Sequence, residues 1–125
     1  SDWSSDVCSS DLHIPMLWIG GAVKEPRTVD VICNQSDMAA TLLGQLQLPH
    51  DDFLFSRDVL SHTYVYPTAV HNYYNAQWMI DSTGHALYDF DARRFIVSQT
   101  TDADRLLRVS KAMLQLTTHS LKGNN

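Results

Sequence analysis

With 125 residues, 44% of them hydrophobic and 18% charged, the chain can bury a core as one domain and carries too few charges for a disordered one. Its formal net charge of −5 comes without a basic stripe, so the electrostatic footprint of a nucleic-acid binder is missing. The longest apolar run, Ile14 to Val23, is broken by Pro15, Gly20 and Gly21 and is too short to span a bilayer, and the polar, acidic start is unlike a targeting signal.

Residues 1–12 read as foreign to the remainder of the chain. Ser4-Ser5-Asp6-Val7 recurs as Ser9-Ser10-Asp11-Leu12, with neither helical nor strand period. The stretch resembles a translated adapter at the end of a reading frame. It also holds Asp2, Asp6 and Asp11, without which 9 bases face 11 acids. Residues 1–12 are therefore expected to form a non-native or disordered tail with few contacts, native sequence beginning near His13.

His13-Ile14-Pro15-Met16-Leu17-Trp18-Ile19 is a continuous apolar run ending at Gly20-Gly21. Runs without alternation suit a strand covered on both faces, and Pro15 belongs at its beginning. A charged turn, Lys24 to Arg27, leads towards a helix over Asn34 to Leu46. Met38, Ala39, Leu42, Leu43 and Leu46 form one stripe at helical period, so Leu42 and Leu43 are expected to be buried. Ser36 or Asp37 can accept from the first free amides, and Pro49 stops the run. Leu48 to Asp52 is a loop, and Phe53 to Leu60 an irregular or one-turn segment against the core.

From Tyr64 the pattern is that of strands: Tyr64 to Tyr66, Val70 to Tyr74, Gln77 to Ile80, His85 to Phe90 and Arg94 to Ser98. The last three form an antiparallel meander with turns at Asp81-Ser82-Thr83-Gly84 and Asp91-Ala92-Arg93, Gly84 offering a positive φ. Thr101 is expected to cap a final helix with Asp102 and Asp104 in its first turn. Leu106, Val109, Met113 and Leu116, widened by Leu107, Leu114 and Leu121, should lay it on the meander.

Groups able to do chemistry are sparse. The histidines stand at 13, 50, 62, 71, 85 and 119, with no HExxH and no i, i+4 helical pair. His50-Asp51-Asp52 is the densest ligand cluster but reads more simply as a solvated turn. His85 follows a turn glycine and is expected to be exposed. His13 starts the apolar strand, as a satisfied polar edge or facing a cleft, whereas ligands of an open α/β sheet gather at the carboxyl ends of strands, here Gly20-Gly21. No serine lies in GxSxG, and no GK[ST] follows Gly20-Gly21-Ala22. Asp58 beside Arg57 reads as a surface or loop-closing pair rather than an acid–base couple. Cys8 and Cys33 form no metal or redox spacing and read as buried or incidental thiols.

Three segments taken in order carry a resemblance: His13-Ile14-Pro15-Met16-Leu17-Trp18-Ile19-Gly20-Gly21, Gln35-Ser36-Asp37-Met38-Ala39-Ala40-Thr41-Leu42-Leu43, and Phe55-Ser56-Arg57-Asp58-Val59-Leu60. Together they resemble the C-terminal part of a sulfatase-fold protein of the lipoteichoic acid synthase-like branch of the alkaline phosphatase superfamily. That family has an "(I/V)P" strand, a "D-x-x-x-T-L-L" helix and a short "G/S-x-D-L-L" segment. The match is good over His13 to Leu60 and looser over the Ile80-Asp81-Ser82-Thr83-Gly84 stretch and the final helix. Ala40 stands where many relatives have proline, an easy exchange in a first helical turn.

The resemblance implies an α/β chain with a partial alkaline-phosphatase-like fold: one core strand and a docking helix, then a small antiparallel meander and a C-terminal helix. Residues 13–125 would be the C-terminal part of a sulfatase-like catalytic domain. The parent would be a phosphoglycerol transferase or ester hydrolase at the extracytoplasmic face of a bacterial inner membrane. A divalent metal such as Mn²⁺ would polarise a phosphate or sulfate ester there and activate a threonine or serine. In the family the nucleophile, the carboxylate ligands and the Asp-His-Gly motif precede the "(I/V)P" strand. Here no Asp-His-Gly occurs, and neither cysteine begins Cys-x-Pro-x-Arg. No catalytic, cofactor or metal residue is therefore assigned to this chain, Asp37, Thr41 and Leu42 serve as scaffold, and the expected partner is the missing N-terminal part of the domain. The competing expectation is a stand-alone, non-catalytic α/β binding module.

Overall fold

The computed structural model describes residues 12–21 and 23–123. It is mixed α/β: a one-turn 3-10 segment, Gln35–Asp37, runs into α1, Met38–Gln45, followed by β1 Thr68–Asn72, β2 Ala76–Asp81, β3 Gly84–Asp89, β4 Arg94–Gln99 and α2 Ala103–Gly123. The strands form one antiparallel sheet in the order β1-β2-β3-β4. The expected meander is present, and β1 joins it as a fourth strand.

Side chains alternate across the sheet, which sets two apolar clusters on opposite faces. Met79 and Ala86 meet Leu106 of α2, with Tyr66, Val70, Tyr88, Phe95 and Leu107 around them. On the other face Ala76, Trp78 and Leu87 pack with Tyr73, Ile80, Val97 and Leu12. Covered on both sides, β2 is buried along almost its whole length, with polar Gln77 and Asp81 buried among its apolar residues. Leu12, counted with the tail by sequence, thus touches the core; the rest of that tail, residues 1–11 with Cys8, lies outside the described residues.

The turns are built by side chains. Asp81 and Gly84 pair across the β2–β3 turn, and the Asp81 carboxylate accepts from the amides of Thr83 and Gly84 and from the hydroxyls of Thr83, Thr100 and Tyr66. Gly84 has φ +155°, and a Cβ there would land on the carbonyl oxygen of Gln99. At the next turn Asp89 accepts from the amides of Asp91 and Ala92 while Arg93 takes φ +53°. An extra residue, Ile96, then bulges β4, which twists that edge strand away from partners.

Several sequence expectations are corrected. Ile14 to Ile19 is not a strand: no strand among the described residues lies beside it to complete a ladder, and Leu17 and Ile19 are 81% and 88% exposed. In α1 the buried residues are Ala40 and Thr41, following buried Asp37, whereas Leu42 is 42% exposed and Leu43 half-buried. Polar partners on Ser56 and Arg57 turn that face inwards. Pro49 does not stop α1. Gln47 does so at φ +57°, with its amide on the carbonyl of Gly44 and the Leu48 amide on that of Leu43, a six-to-one closure of the last turn. Tyr64 to Tyr66 is irregular, and the strand begins only after Pro67.

The cap of α2 shifts by one residue. Asp102 accepts from the Arg105 amide, while Thr101 bonds instead to Thr83. Only the first half of the α2 stripe lies on the sheet: Leu106 is fully buried, Leu107, Val109 and Met113 are half-buried, and Leu114, Leu116 and Leu121 are exposed. A helix of 21 residues outruns a sheet of strands five or six residues long.

Two outcomes follow from the β2–β3 turn. Gly84→Ala should lower unfolding free energy by about 1–3 kcal/mol, the usual range for forced overpacking, read from denaturant midpoints. Burial pushes the Asp81 carboxyl up, but hydrogen bonds from Thr83, Thr100 and Tyr66 outweigh it and hold the group below its ordinary value of 3.8. The carboxylate's contribution to stability is thus complete above that value and is lost as pH falls through the lower folded-state value. The stability gap between the natural chain and Asp81→Asn should close over the same acid range, which thermal melts in a pH series would follow.

Candidate functional site

The irregular segment after α1 is held by one polar network centred on Asp37, whose side chain is fully buried. The carboxylate accepts the Arg57 guanidinium in bidentate fashion, Nη2 on Oδ2 at 2.7 Å and Nε on Oδ1 at 3.0 Å. Two amides, those of Arg57 and Asn34, complete its acceptor capacity. Arg57 then reaches the sheet, with Nη1 on Thr68 Oγ1 at 2.7 Å and Nη2 on the Thr68 carbonyl at 2.8 Å. Tyr64 lies under the guanidinium, 4.9 Å from carbon to ring centroid, and donates its hydroxyl to the Ile32 carbonyl.

Neighbouring hydroxyls extend the network. Ser56 Oγ accepts the Ala40 amide, one of the first-turn donors of α1 that has no partner within the helix. Thr41 donates to backbone carbonyls of Asp37 and Arg57 and accepts the Val59 amide. Asp37 and Thr41 thus hold the segment by hydrogen bonds, while Leu42 is exposed. Arg57 pairs with Asp37 rather than with its neighbour Asp58, which closes its own loop by accepting the Leu60 amide.

Electrostatics fit a structural clamp. Burial alone would lower the Arg57 pKa, but the hydrogen bond and charge of Asp37 raise it, so the guanidinium stays charged. The Tyr64 phenol is pushed up to about 12 by burial, helped by Asp37 and opposed by Arg57, and remains a donor. Burial, then the Asp37 charge, raises the thiol of half-buried Cys33, which is unsuited to act as a nucleophile.

The other candidates stay apart. Among the described residues no three His, Cys, Asp or Glu side chains come together to hold a metal. His50 sits at a turn with Asp51 and Asp52 exposed, and His13 is exposed on irregular chain. His85 is half-buried, stacked on Trp78 at 4.8 Å, rather than fully exposed. Gly20, at φ +118°, and Gly21 end no strand, so the ligand position inferred from a sheet's carboxyl end does not exist there.

Beside the clamp an open cleft of about 460 Å³ lies between the 50–66 segment and the first turns of α2. Its walls include His50, Ser56, Arg57, Asp58, Thr63 and Arg105, the last with its guanidinium 4.1 Å above the Tyr66 ring. Sequence reasoning gave Ser56 no role beyond its place in the third segment and missed Arg105, because only folding brings α2 against the 50–66 segment. No family model, curated protein or solved structure matches the chain.

Asp37→Ala would strand the Arg57 charge, whose side chain is only 26% exposed. A loss of roughly 3 kcal/mol is expected, the lower end for breaking a buried pair because some water still reaches the guanidinium. Urea titration of Asp37→Ala, Arg57→Met and the double variant should give a cost for the pair well below the sum of the single costs. Additive losses would mean that the two residues act independently.

Proposed function

We propose that this chain is the C-terminal part of a sulfatase-like catalytic domain, of the lipoteichoic acid synthase-like branch of the alkaline phosphatase superfamily, and supplies scaffold rather than reacting groups. The observation that carries this reading is the Asp37–Arg57 clamp. It joins residues from two of the three segments on which the resemblance rests, twenty positions apart. In this reading the two motifs lie together because each holds half of one buried ion pair.

The distribution of apolar surface supports it. Of eighteen exposed large apolar residues among those described, thirteen precede Tyr66, from Ile14 to Val65. So many exposed apolar side chains in one half of the chain fit a surface that another part of a domain would cover. The meander with the first half of α2 is covered by its own chain, and this is what favours the second reading, a self-contained binding module.

The parent activity is phosphoglycerol transfer or hydrolysis of a phosphate or sulfate ester at the extracytoplasmic face of a bacterial membrane. The metal that such an enzyme needs, Mn²⁺ or a similar ion, does not fit the described residues, which assemble no ligand set. It belongs to the part of the domain that contributes the nucleophile. No helix among the described residues is long and apolar enough to cross a membrane.

The test is to recover the upstream reading frame, express the whole protein and assay it beside residues 13–125. Hydrolysis of an aryl phosphodiester or aryl sulfate with Mn²⁺ is expected from the whole protein and not from the shorter chain. Turnover by residues 13–125 alone, or an upstream frame with no Asp-His-Gly and no activity, would overturn the reading.

A further inference from the structure

Strand β1 closes one side of the sheet, and its outer backbone groups are only partly occupied. The Thr68 carbonyl accepts Arg57 Nη2 at 2.8 Å, and the Val70 amide donates to Asn34 Oδ1 at 2.7 Å. Backbone groups alternate along an antiparallel strand, so those of Thr68, Val70 and Asn72 face away from β2. Among the described residues no hydrogen bond from outside the sheet reaches the Val70 carbonyl, the Asn72 amide or the Asn72 carbonyl.

The two covering residues belong to no strand. Asn34 precedes the one-turn segment before α1, and Arg57 lies on irregular chain after it. Each closes a backbone group of β1 with a single side chain. A paired strand would be held by a whole ladder, whereas this cover goes when two side chains go.

The strand beneath is suited to pair with a copy of itself. Thr68-Ala69-Val70-His71-Asn72 contains no Lys, Arg, Asp or Glu. An antiparallel pair centred on Val70 sets Thr68 opposite Asn72 and Ala69 opposite His71, so no like charges meet. Such a pair is closed by a two-fold axis, which makes a second copy the self-consistent partner. The other edge, β4, begins with Arg94 and carries the bulge at Ile96, both of which oppose pairing.

We propose that β1 is a latent docking edge for β1 of a second copy of this chain, kept closed by the side chains of Asn34 and Arg57. Withdrawing them frees the Val70 amide and the Thr68 carbonyl, and two four-stranded sheets join into one. The proposal goes beyond the proposed function and stands on the strand edge alone.

Hydrogen exchange at the Val70 amide and sedimentation over a range of protein concentration test it. Asn34→Ala keeps the Asp37–Arg57 pair and should speed Val70 exchange by at least about fivefold, the weight of one ordinary hydrogen bond. Asn34→Ala/Asp37→Ala/Arg57→Met also frees the Thr68 carbonyl. It should move from the 14.1 kDa monomer towards twice that mass as concentration rises, with Val70 exchange slowing in parallel. Adding Val70→Pro, which leaves no amide on the outer side, should return it to the monomer. Unchanged Val70 exchange in Asn34→Ala would overturn the proposal. So would a triple variant that keeps its sheet by circular dichroism yet stays monomeric, or a dimer that survives Val70→Pro.

Discussion

The contact on which the rest depends is the buried pair of Asp37 and Arg57. A fully buried carboxylate is tolerable only when its charge is matched and its lone pairs are filled, and here a bidentate guanidinium and two amides do both. The pair fixes three pieces of chain at once: the entry to α1, the irregular segment after it, and the first residue of β1. A hydrophobic contact could supply similar free energy but not this register, because apolar surfaces slide and a forked hydrogen-bond pattern does not.

The same network finishes the sheet. Strand β1 is an edge, and edges leave backbone groups open to pairing with other chains. Its outward Thr68 carbonyl accepts Arg57, and its outward Val70 amide donates to Asn34 Oδ1 at 2.7 Å. Side chains from before α1 and from the loop after it thus stand in for a neighbouring strand. The opposite edge, β4, relies on its bulge and on Arg94.

Apolar burial is uneven along the described residues. The meander and the first half of α2 bury their own apolar residues. Before Tyr66 the chain is tied to the sheet by polar clamps and by Leu12, and it leaves Ile14, Leu17, Ile19 and Leu42 to solvent. The open cleft lies where α2 meets the segment that carries Arg57.

Local signals determined most of the elements. Alternating β-formers around Asp81 to Gly84 and Asp91 to Arg93 specify the meander, because turn chemistry and strand period act over a few residues. The α2 stripe likewise places a helix, though the cap fell on Asp102 rather than Thr101. What failed were inferences that needed a partner. Ile14 to Ile19 has the composition of a buried strand, but a strand exists only beside another, and none is described there. The α1 stripe predicted buried Leu42, yet the inward face is Asp37, Ala40 and Thr41, chosen by Ser56 and Arg57 from across a loop. Within the site, Asp37 and Arg57 were each visible in their motifs, whereas their pairing, and the placing of Arg105 and His50 on one cleft, came only with the tertiary structure. Hydrophobic period is written along the chain, but which polar groups meet after it folds is set by distances that sequence separation does not encode.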